Sequence, residues 1–198
     1  MSLSKPAASL HTLLSILQQS RELHNALADT CGEQYRQITN AFITAFQNGN
    51  KALFCGNGGS AADAQHVAAE LVGRFQKHRQ PLPAIALTTD TSLLTSISND
   101  YGYNQVFSRQ VEALAQPGDL VVGISTSGAS ASILLAMQKA KEQKALAIGF
   151  TGHPENKLMQ VCDLCLCVPS TVTARIQEAH ILLWHALCEE IEETLFPG

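Results

Sequence analysis

The chain has 198 residues, a formal net charge of -4 and an apolar content of 45%, whereas only 15% of its residues are charged. This length is typical of one domain with one core, and the apolar content excludes an intrinsically disordered chain. Lysine and arginine number 13 against 17 aspartates and glutamates, without a basic run, which argues against a nucleic-acid-binding protein. The low charge indicates either a surface partly covered by other subunits or neutral polar loops that line a site.

The first 20 residues lack the basic start and the continuous apolar segment of a signal peptide. Residues 120–138 carry no formal charge, but the STSGASAS sequence in their middle is too polar for a membrane span. We therefore expect a soluble cytoplasmic protein.

Two helical segments are predicted at the start of the chain. Leucines recur at helical spacing in the first segment, and Ile38, Phe42 and Phe46 do so in the second. Gly49 and Asn50 are typical of a helix end and close the second segment. The leucines of the first segment are Leu10, Leu13, Leu14 and Leu17.

Five short apolar strands alternate with helices in the rest of the chain. The strands are predicted at 51–55, 83–87, 119–124, 145–150 and 164–168, and the helices at about 61–75, 131–143 and 173–195. Continuous apolar runs are typical of strands that are buried on both faces of a parallel sheet. We therefore predict an α/β fold of the doubly wound type, a three-layer sandwich around a five-stranded parallel sheet. In such sheets the ligand crevice lies at the carboxyl ends of the strands, where we expect the polar loops 56–60, 99–102 and 125–130.

Two of these loops have the context of a phosphate cradle. Loops 56–60 and 125–130 each follow a buried strand and open a helix, whose first-turn amides and positive end favour an anion. Neither loop matches GxxxxGK[ST] or a complete GxGxxG, so nucleoside triphosphates and dinucleotides are poorly supported. Each loop alone is equally consistent with a tight turn, but the two together favour a small phosphorylated ligand.

Six cysteines are expected to be reduced in a chain of this kind. Cys162, Cys165 and Cys167 lie in an apolar stretch that is typical of a short buried strand, where cysteine acts as a small hydrophobic residue. A metal site at these three residues is the less favoured alternative, because no second CxxC pair is present.

His66 and Glu70 are four positions apart, so they share one face of a predicted helix. Such a pair can bind a metal ion, or one residue can act as a base that the other assists. The alternative interpretation is that both residues lie on a solvent-exposed polar face of the helix.

The closing helix carries polar residues among apolar neighbours, and buried polar groups need partners. His180 and His185 are five positions apart and lie on different faces of this helix. At least one of them is expected to face something other than solvent, and a hydrogen-bonded core histidine is the alternative to a functional one.

Four stretches, in order along the chain, resemble sugar isomerase (SIS) domain proteins. They are CGNGGSAADAQHVAAEL at 55–71, LPAIALTTDTSLLTSISNDYGYNQVFSRQV at 82–111, PGDLVVGISTSGAS at 117–130, and TARIQEAHILLWH at 173–185. Within that family the chain is similar to the isomerases that convert sedoheptulose 7-phosphate to glycero-manno-heptose 7-phosphate, through an enediol, for the lipopolysaccharide core. The resemblance implies one SIS domain over residues 1–198, with residues 1–50 used in oligomerisation and 51–198 forming the α/β core and C-terminal helix. It also implies a homotetramer with its sites at subunit interfaces.

The resemblance also implies roles for single residues. Glu70 would be the general base and His185 the general acid. The family's substrate-binding positions match Asn57, Gly58, Gly59, Ser60, Asn99, Asp100, Ser125, Thr126, Ser127, Ser130 and Gln177. In members that bind zinc, the ligands match His66, Glu70, Gln177 and His185, with one ion per subunit. The chain departs from the family at Ala129, where an asparagine is frequent.

One geometric difficulty accompanies the implied zinc ligands. Gln177 and His185 are eight positions apart, which is about 12 Å along a helix. Both can bind one ion only if their side chains converge strongly or if two subunits share the site.

A function of another class stays open. The chain also resembles a SIS protein that associates with the bacterial replication initiator DnaA. A protein that only binds has no chemical need for Glu70 and His185, and both residues are present here. The enzyme is therefore the favoured interpretation.

Overall fold

The structure, a computed structural model, describes residues 10–197. The helices in this range are α1 (Leu10–Gln47), α2 (Gly59–Val72), α3 (Thr91–Tyr101), α4 (Ser108–Leu114), α5 (Ala131–Glu142), α6 (Lys157–Val161) and α7 (Thr173–Leu195). The strands are β1 (Ala52–Gly56), β2 (Ala84–Ala86), β3 (Leu120–Ser125), β4 (Leu146–Gly152) and β5 (Leu164–Val168), and a short 3-10 helix spans Tyr103–Gln105. No helix in this described range is long and apolar enough to cross a membrane.

All five strands are parallel and lie in the order β2-β1-β3-β4-β5. The chain moves outward from β1 to β2 and then returns to the other side of β1 with β3. The direction of winding therefore reverses between β1 and β3, and the loops after these two strands open into one crevice. The predicted doubly wound α/β fold is confirmed.

Two hydrophobic cores cover the two faces of the sheet. Successive side chains of a strand point to opposite faces, so Leu120, Val122 and Ile124 of β3 join one core while Val121 joins the other. The first core includes buried residues of α1, α2 and α7, and Phe42, Phe54, Phe150 and Trp184 form an aromatic cluster there. The second core includes buried residues of α3, α4, α5 and α6. These cores make the three layers expected from the apolar strands.

The prediction of two helical segments at the start of the chain was wrong, because α1 is one helix of 38 residues. No proline or turn sequence interrupts the polar stretch between its two apolar parts, so the helix continues through it. It ends at Gln47, and Gly49 follows with a φ of 77°. Residues 1–9 of the predicted segment 1–50 lie outside the described part of the chain.

The prediction of a polar loop at 99–102 was also wrong, because residues 91–101 form α3. The Asp90 side chain accepts a hydrogen bond of 3.0 Å from the Leu93 amide and so caps the helix start. Gly102, with a φ of 85°, ends the helix. Asn99 and Asp100 are therefore positioned by a helix end rather than by a turn.

The predicted bounds of β1, β3, β4 and α5 differ from the observed ones by one or two residues, and the bounds of α2 and β2 differ as well. Helix α2 ends at Val72, three residues before the predicted end, and β2 is only three residues long. The bounds of β5 and α7 are those predicted, 164–168 and 173–195. The short helices α4 and α6 were not predicted.

The cysteine-rich stretch forms β5, as its apolar neighbours predicted. All six cysteines are free thiols. A hydrogen bond with Cys165 and burial raise the pKa of Cys162, so its thiol stays protonated. These residues behave as core side chains, and Cys162 and Cys165 pack against the second core.

Candidate active site

Asn57 joins the two phosphate-type loops at the crevice between β1 and β3. Its Nδ2 donates to Ser130 Oγ at 2.9 Å and to Ser132 Oγ at 3.1 Å. Its Oδ1 accepts a hydrogen bond of 2.7 Å from the Tyr103 hydroxyl. Donors and acceptors on both ends of the amide fix its orientation, so the loop after β1 and the loop after β3 are held together.

The loop after β3 presents the hydroxyls expected of a neutral anion cradle. Ser125 is buried at the strand end, and Thr126 and Ser127 follow it in the turn. Gly128 has a φ of 62°, and a Cβ there would lie 2.1 Å from Asn156 Oδ1, so only glycine fits. Ser130 then occupies the N-cap position of α5, whose N-terminal end faces the crevice. The predicted hydroxyl residues are therefore gathered around one helix start.

The loop after β1 is equally tight. Gly58 has a φ of 56° and precedes α2, and Ser60 is buried in the first turn of that helix. A Cβ on Gly59 would lie 2.2 Å from Gln177 Nε2, so α7 approaches the backbone of α2 at this point. Gln177 is thus placed beside the glycine loop.

His66, Glu70 and His185 meet where the next turns of α2 and α7 face each other. His66 Nε2 lies 3.3 Å from Glu70 Oε1 and 2.9 Å from His185 Nε2. The structure therefore brings together three residues from two helices that are far apart in the sequence. The exposed-surface alternative for His66 and Glu70 does not describe this arrangement, because His185 of α7 faces the pair.

His180, the other histidine of α7, is a core residue. It is fully buried, its Nε2 donates to the Thr151 carbonyl at 3.2 Å, and it packs against Phe150. Burial lowers its pKa to about 4, so the ring is neutral near pH 7. Of the two histidines, only His185 faces the candidate site.

The sequence of this chain matches the SIS domain family over residues 17–152. The protein belongs to the SIS domain family.

Close relatives carry one name. The chain is 54% identical to the phosphoheptose isomerase of Roseiflexus over 91% of each sequence. It is 50% identical to the phosphoheptose isomerase of Aquifex aeolicus over 94% of this chain and 97% of that sequence. The solved phosphoheptose isomerase of Neisseria gonorrhoeae superposes with a TM-score of 0.87 at 44% identity, covering 92% of this chain and 97% of that one. The initiator-binding alternative finds no support in these names.

The His66–Glu70–His185 group of this SIS protein has the chemistry of a metal site. The three ligand atoms all lie within 4.8 Å of one another, and it is the group of this kind found among residues 10–197. Two imidazole nitrogens and a carboxylate oxygen suit Zn²⁺, whose ligands at about 2 Å leave neighbouring donor atoms about 3.3 Å apart. The observed spacings of 2.9 Å and 3.3 Å are compatible with one shared ion. Cysteines do not form part of the group.

Gln177, the fourth implied ligand, lies nearer the start of α2 than His66, Glu70 and His185 do. Its amide contacts Gly59, the first residue of α2, and His66 lies seven residues, about 10 Å, further along that helix. The side chain of Gln177 is thus beside the glycine loop, about two helical turns before His66.

Asn99 and Asp100 lie at the exposed end of α3, where the Asn99 amide donates to Asp100 Oδ1 at 2.8 Å. The 3-10 helix that follows α3 brings Tyr103 to the crevice, where the Tyr103 hydroxyl donates to Asn57 Oδ1. Sequence reasoning missed Tyr103 as a site residue. Its place within the matching stretch 82–111 was the only available signal, because the contact joins residues 46 positions apart.

Proposed function

We propose that this protein is a ketose–aldose isomerase that converts D-sedoheptulose 7-phosphate to D-glycero-D-manno-heptose 7-phosphate. The observation that carries the proposal is the meeting of Glu70 with His185 in a chain that also has two hydroxyl-lined loops at one crevice. Relatives at 50–54% identity are named phosphoheptose isomerases, which supports this substrate. The product is a precursor of the lipopolysaccharide core, and we place the protein in the cytoplasm.

Glu70 and His185 supply the proton transfers that the reaction needs. The Glu70 carboxylate removes a proton from C1 of the ketose while His185 donates a proton to the oxygen on C2, which gives the 1,2-enediol. Glu70 then returns its proton to C2, and the hydroxyl on C1 loses its proton to His185, which leaves the aldehyde. No proton is gained or lost over the cycle, and the acid and the base are both regenerated.

The two loops hold the other end of the substrate. Phosphate at C7 would accept hydrogen bonds from the hydroxyls of Ser125, Thr126, Ser127 and Ser130 and from the first amides of α5. We assign Asn57, Gly58, Gly59, Ser60, Asn99, Asp100 and Gln177 to the binding of the sugar hydroxyls. A seven-carbon chain carries its phosphate and its carbonyl at opposite ends, which agrees with separate places for the cradle and the acid–base pair. Fixing both ends orients C1 and C2 for reaction.

We propose zinc as the cofactor, one ion per subunit, held by His66, Glu70 and His185 with Gln177 as the fourth ligand. When bound, the ion would polarise the carbonyl and stabilise negative charge on the enediolate oxygens. The proton-transfer roles of Glu70 and His185 follow from their residue types and positions whether or not the ion is present.

We propose a homotetramer in which subunits share each site. Gln177 contacts the start of α2, whereas His66 lies about two turns along that helix. We propose that a neighbouring subunit contributes to each site and so overcomes this separation. We assign residues 1–50 to oligomerisation and residues 51–198 to the α/β core and C-terminal helix of one SIS domain. Exposed leucines on the first turns of α1 support this assignment.

Glu70→Gln tests the function directly. The substitution keeps the size of the side chain but removes the base, so kcat for sedoheptulose 7-phosphate should fall by at least about 100-fold. Turnover is followed by the appearance of the aldose, and circular dichroism confirms folding. Wild-type turnover is measured with and without a chelator, because bound zinc predicts a loss that added Zn²⁺ restores.

Glu142→Gln is the matched control, since Glu142 is a carboxylate on the exposed surface of α5 that pairs with Lys139. Its kcat should equal that of the wild type. A folded Glu70→Gln protein with undiminished kcat would remove Glu70 as the base. A wild-type protein that leaves the substrate unchanged would contradict the enzyme and favour a role limited to binding.

A further inference from the structure

The segment that follows α2 is fastened to α7 by one buried carboxylate. The Glu192 side chain accepts hydrogen bonds of 2.8 Å from each of the backbone amides of Phe75, Gln76 and Lys77. Only 1% of Glu192 is exposed. The Phe75 amide, which the predicted helix would have used for an intrahelical bond, is thus bound to α7 instead, in agreement with the end of α2 at Val72.

Arg79 completes the same group of contacts and extends it to the end of α2. Its Nε donates to Glu192 Oε1 at 2.9 Å. Its Nη2 donates to the Glu70 carbonyl at 2.8 Å, and its Nη1 donates to the Leu71 carbonyl at 2.7 Å. The guanidinium therefore binds the last carbonyls of a helix, which are otherwise without intrahelical partners. It spans from the backbone of Glu70 to α7.

Phe75 connects Glu192 with His185. Its amide is held by Glu192, and its ring stacks on His185 with centroids 5.4 Å apart and an interplanar angle of 27°. The His185 ring thus contacts both the Phe75 ring and the His66 ring. Glu192 thus fixes the residue that limits movement of the His185 ring.

The charges of Glu192 and Arg79 are required for these contacts. Burial alone would raise the pKa of Glu192, but the three amides and Arg79 outweigh it and lower the pKa below the usual range. A buried ion pair is by itself weak evidence for stability, since an apolar replacement is frequently as stable. An apolar pair cannot, however, bind three amides and two carbonyls at once.

We propose that Glu192 and Arg79 are positioning residues that set the distance and angle between Glu70 and His185. The proposal rests on the isomerase function proposed above. The ion pair contacts the backbone at Glu70 and, through Phe75, one face of His185. Neither Glu192 nor Arg79 lies in the group formed by the reacting side chains. Their effect on turnover is therefore exerted through the placement of two helices.

A second buried ion pair in this chain provides a matched control. Asp119 is 2% exposed, pairs with Lys51 and accepts hydrogen bonds from the Lys51 and Gln116 amides. It resembles Glu192 in burial and in its backbone partners, but its hydrogen bonds are with residues 50, 51 and 116 rather than with α7 or residues 75–77. Loss of Asp119 should destabilise the fold without disturbing the acid–base pair.

The experiment compares Glu192→Gln with Asp119→Asn in the full chain. We expect kcat of Glu192→Gln to fall about tenfold or more, because small displacements of reacting groups are costly, while KM stays within about twofold. Asp119→Asn should lower the melting temperature but leave kcat unchanged. Arg79→Lys keeps the positive charge but not the planar fork, and should lower kcat less than Glu192→Gln does. Assays are run well below all melting temperatures.

Hydrogen exchange provides a readout that does not depend on the reaction. The amides of residues 75–77 should exchange faster in Glu192→Gln than in the wild type. Their exchange rates in Asp119→Asn should equal those of the wild type. If Glu192→Gln does not fold, Phe75→Leu tests the proposal instead. This substitution removes the aromatic ring that stacks on His185 but keeps the Glu192–Arg79 ion pair. The kcat of Phe75→Leu should fall while its KM stays unchanged. An unchanged kcat in the folded variants, or an equal fall in Asp119→Asn, would overturn the positioning role. An inactive wild type would instead contradict the isomerase function.

Discussion

At the scale of single residues, the candidate site depends on side chains that orient other side chains through hydrogen bonds. Asn57 is the clearest example, since each end of its amide has a defined partner. The sequence indicated Asn57 through its glycine loop, but it did not indicate Tyr103, because a contact across 46 positions has no periodicity to reveal it. Spacing within one helix, as for His66 and Glu70, is readable from sequence, whereas contacts between elements are not.

Tyr103→Phe removes the hydroxyl that binds Asn57 and keeps the ring. The Asn57 amide then loses one of its three partners, and we expect KM to rise about fivefold, corresponding to a hydrogen bond worth about 1 kcal/mol. Steady-state kinetics with the heptose phosphate measure this change. Tyr101→Phe is the control, because Tyr101 lies nearby at the end of α3 and stacks under Arg109 through its ring. Equal KM values for the two variants would mean that the Tyr103 hydroxyl does not orient Asn57 for binding.

At the scale of elements, α1 divides into two parts with different surroundings. Leu23, Leu27 and Ile38 are buried against the sheet and α7, whereas Leu10, Leu13, Leu14 and Leu17 are between 50% and 70% exposed. The sequence predicted the helical spacing of the four exposed leucines. Spacing alone, however, does not distinguish a leucine that packs within the chain from one that does not. Such an apolar stripe on one helix end is typical of a surface that another subunit covers.

Replacing Leu13 and Leu17 together by glutamine should dissociate the proposed tetramer. Both residues lie on the exposed stripe, so the change removes apolar area from an interface while leaving the two cores intact. Sedimentation equilibrium should show a mass near four chains of 21.3 kDa for the wild type and a smaller assembly for the variant. Thr12→Gln, an exposed polar position on the same turns, should leave the mass unchanged. A wild type that sediments as a monomer would contradict the tetramer.

At the scale of the whole molecule, the sheet was predictable because five apolar strands alternate with helices. The bounds of β5 and α7 were predicted to the residue, whereas α3 was mistaken for a loop because its serines and threonines hide a short amphipathic helix. The strand–turn–helix context of loops 56–60 and 125–130 was recognisable from the sequence, and their role in phosphate binding stays a prediction. His185 entered the site only through the family resemblance, and the contacts of Glu192 with residues 75–77 had no sequence signal because they span more than 110 positions.

The stability of the whole fold should depend on pH through His180. Its pKa is lowered from 6.5 to about 4 by burial, so the unfolded chain binds a proton in this interval that the folded chain does not. The contribution is complete above pH 6.5 and is lost as the pH falls toward 4, at a cost of about 2 kcal/mol between pH 7.5 and 5.0. Urea unfolding at these two pH values measures the change. His180→Gln should reduce the difference by that amount.

Asp119 and Glu192 contribute in a different interval. Their lowered pKa values mean that their stabilisation is present above their unfolded pKa values and is lost only at lower pH, below about 4.5. The loss between pH 7.5 and 5.0 is therefore assigned to His180. A His180→Gln protein with the same pH dependence as the wild type would contradict this assignment.

The bond between Asn57 and Ser130 joins residues 73 positions apart, one from each side of the point where the winding of the sheet reverses. Neither loop can reach its final shape until β1 and β3 have paired, so a partly folded chain presents only half of the anion cradle. Recovery of substrate binding during refolding should therefore follow the pairing of β1 with β3 rather than the formation of either loop.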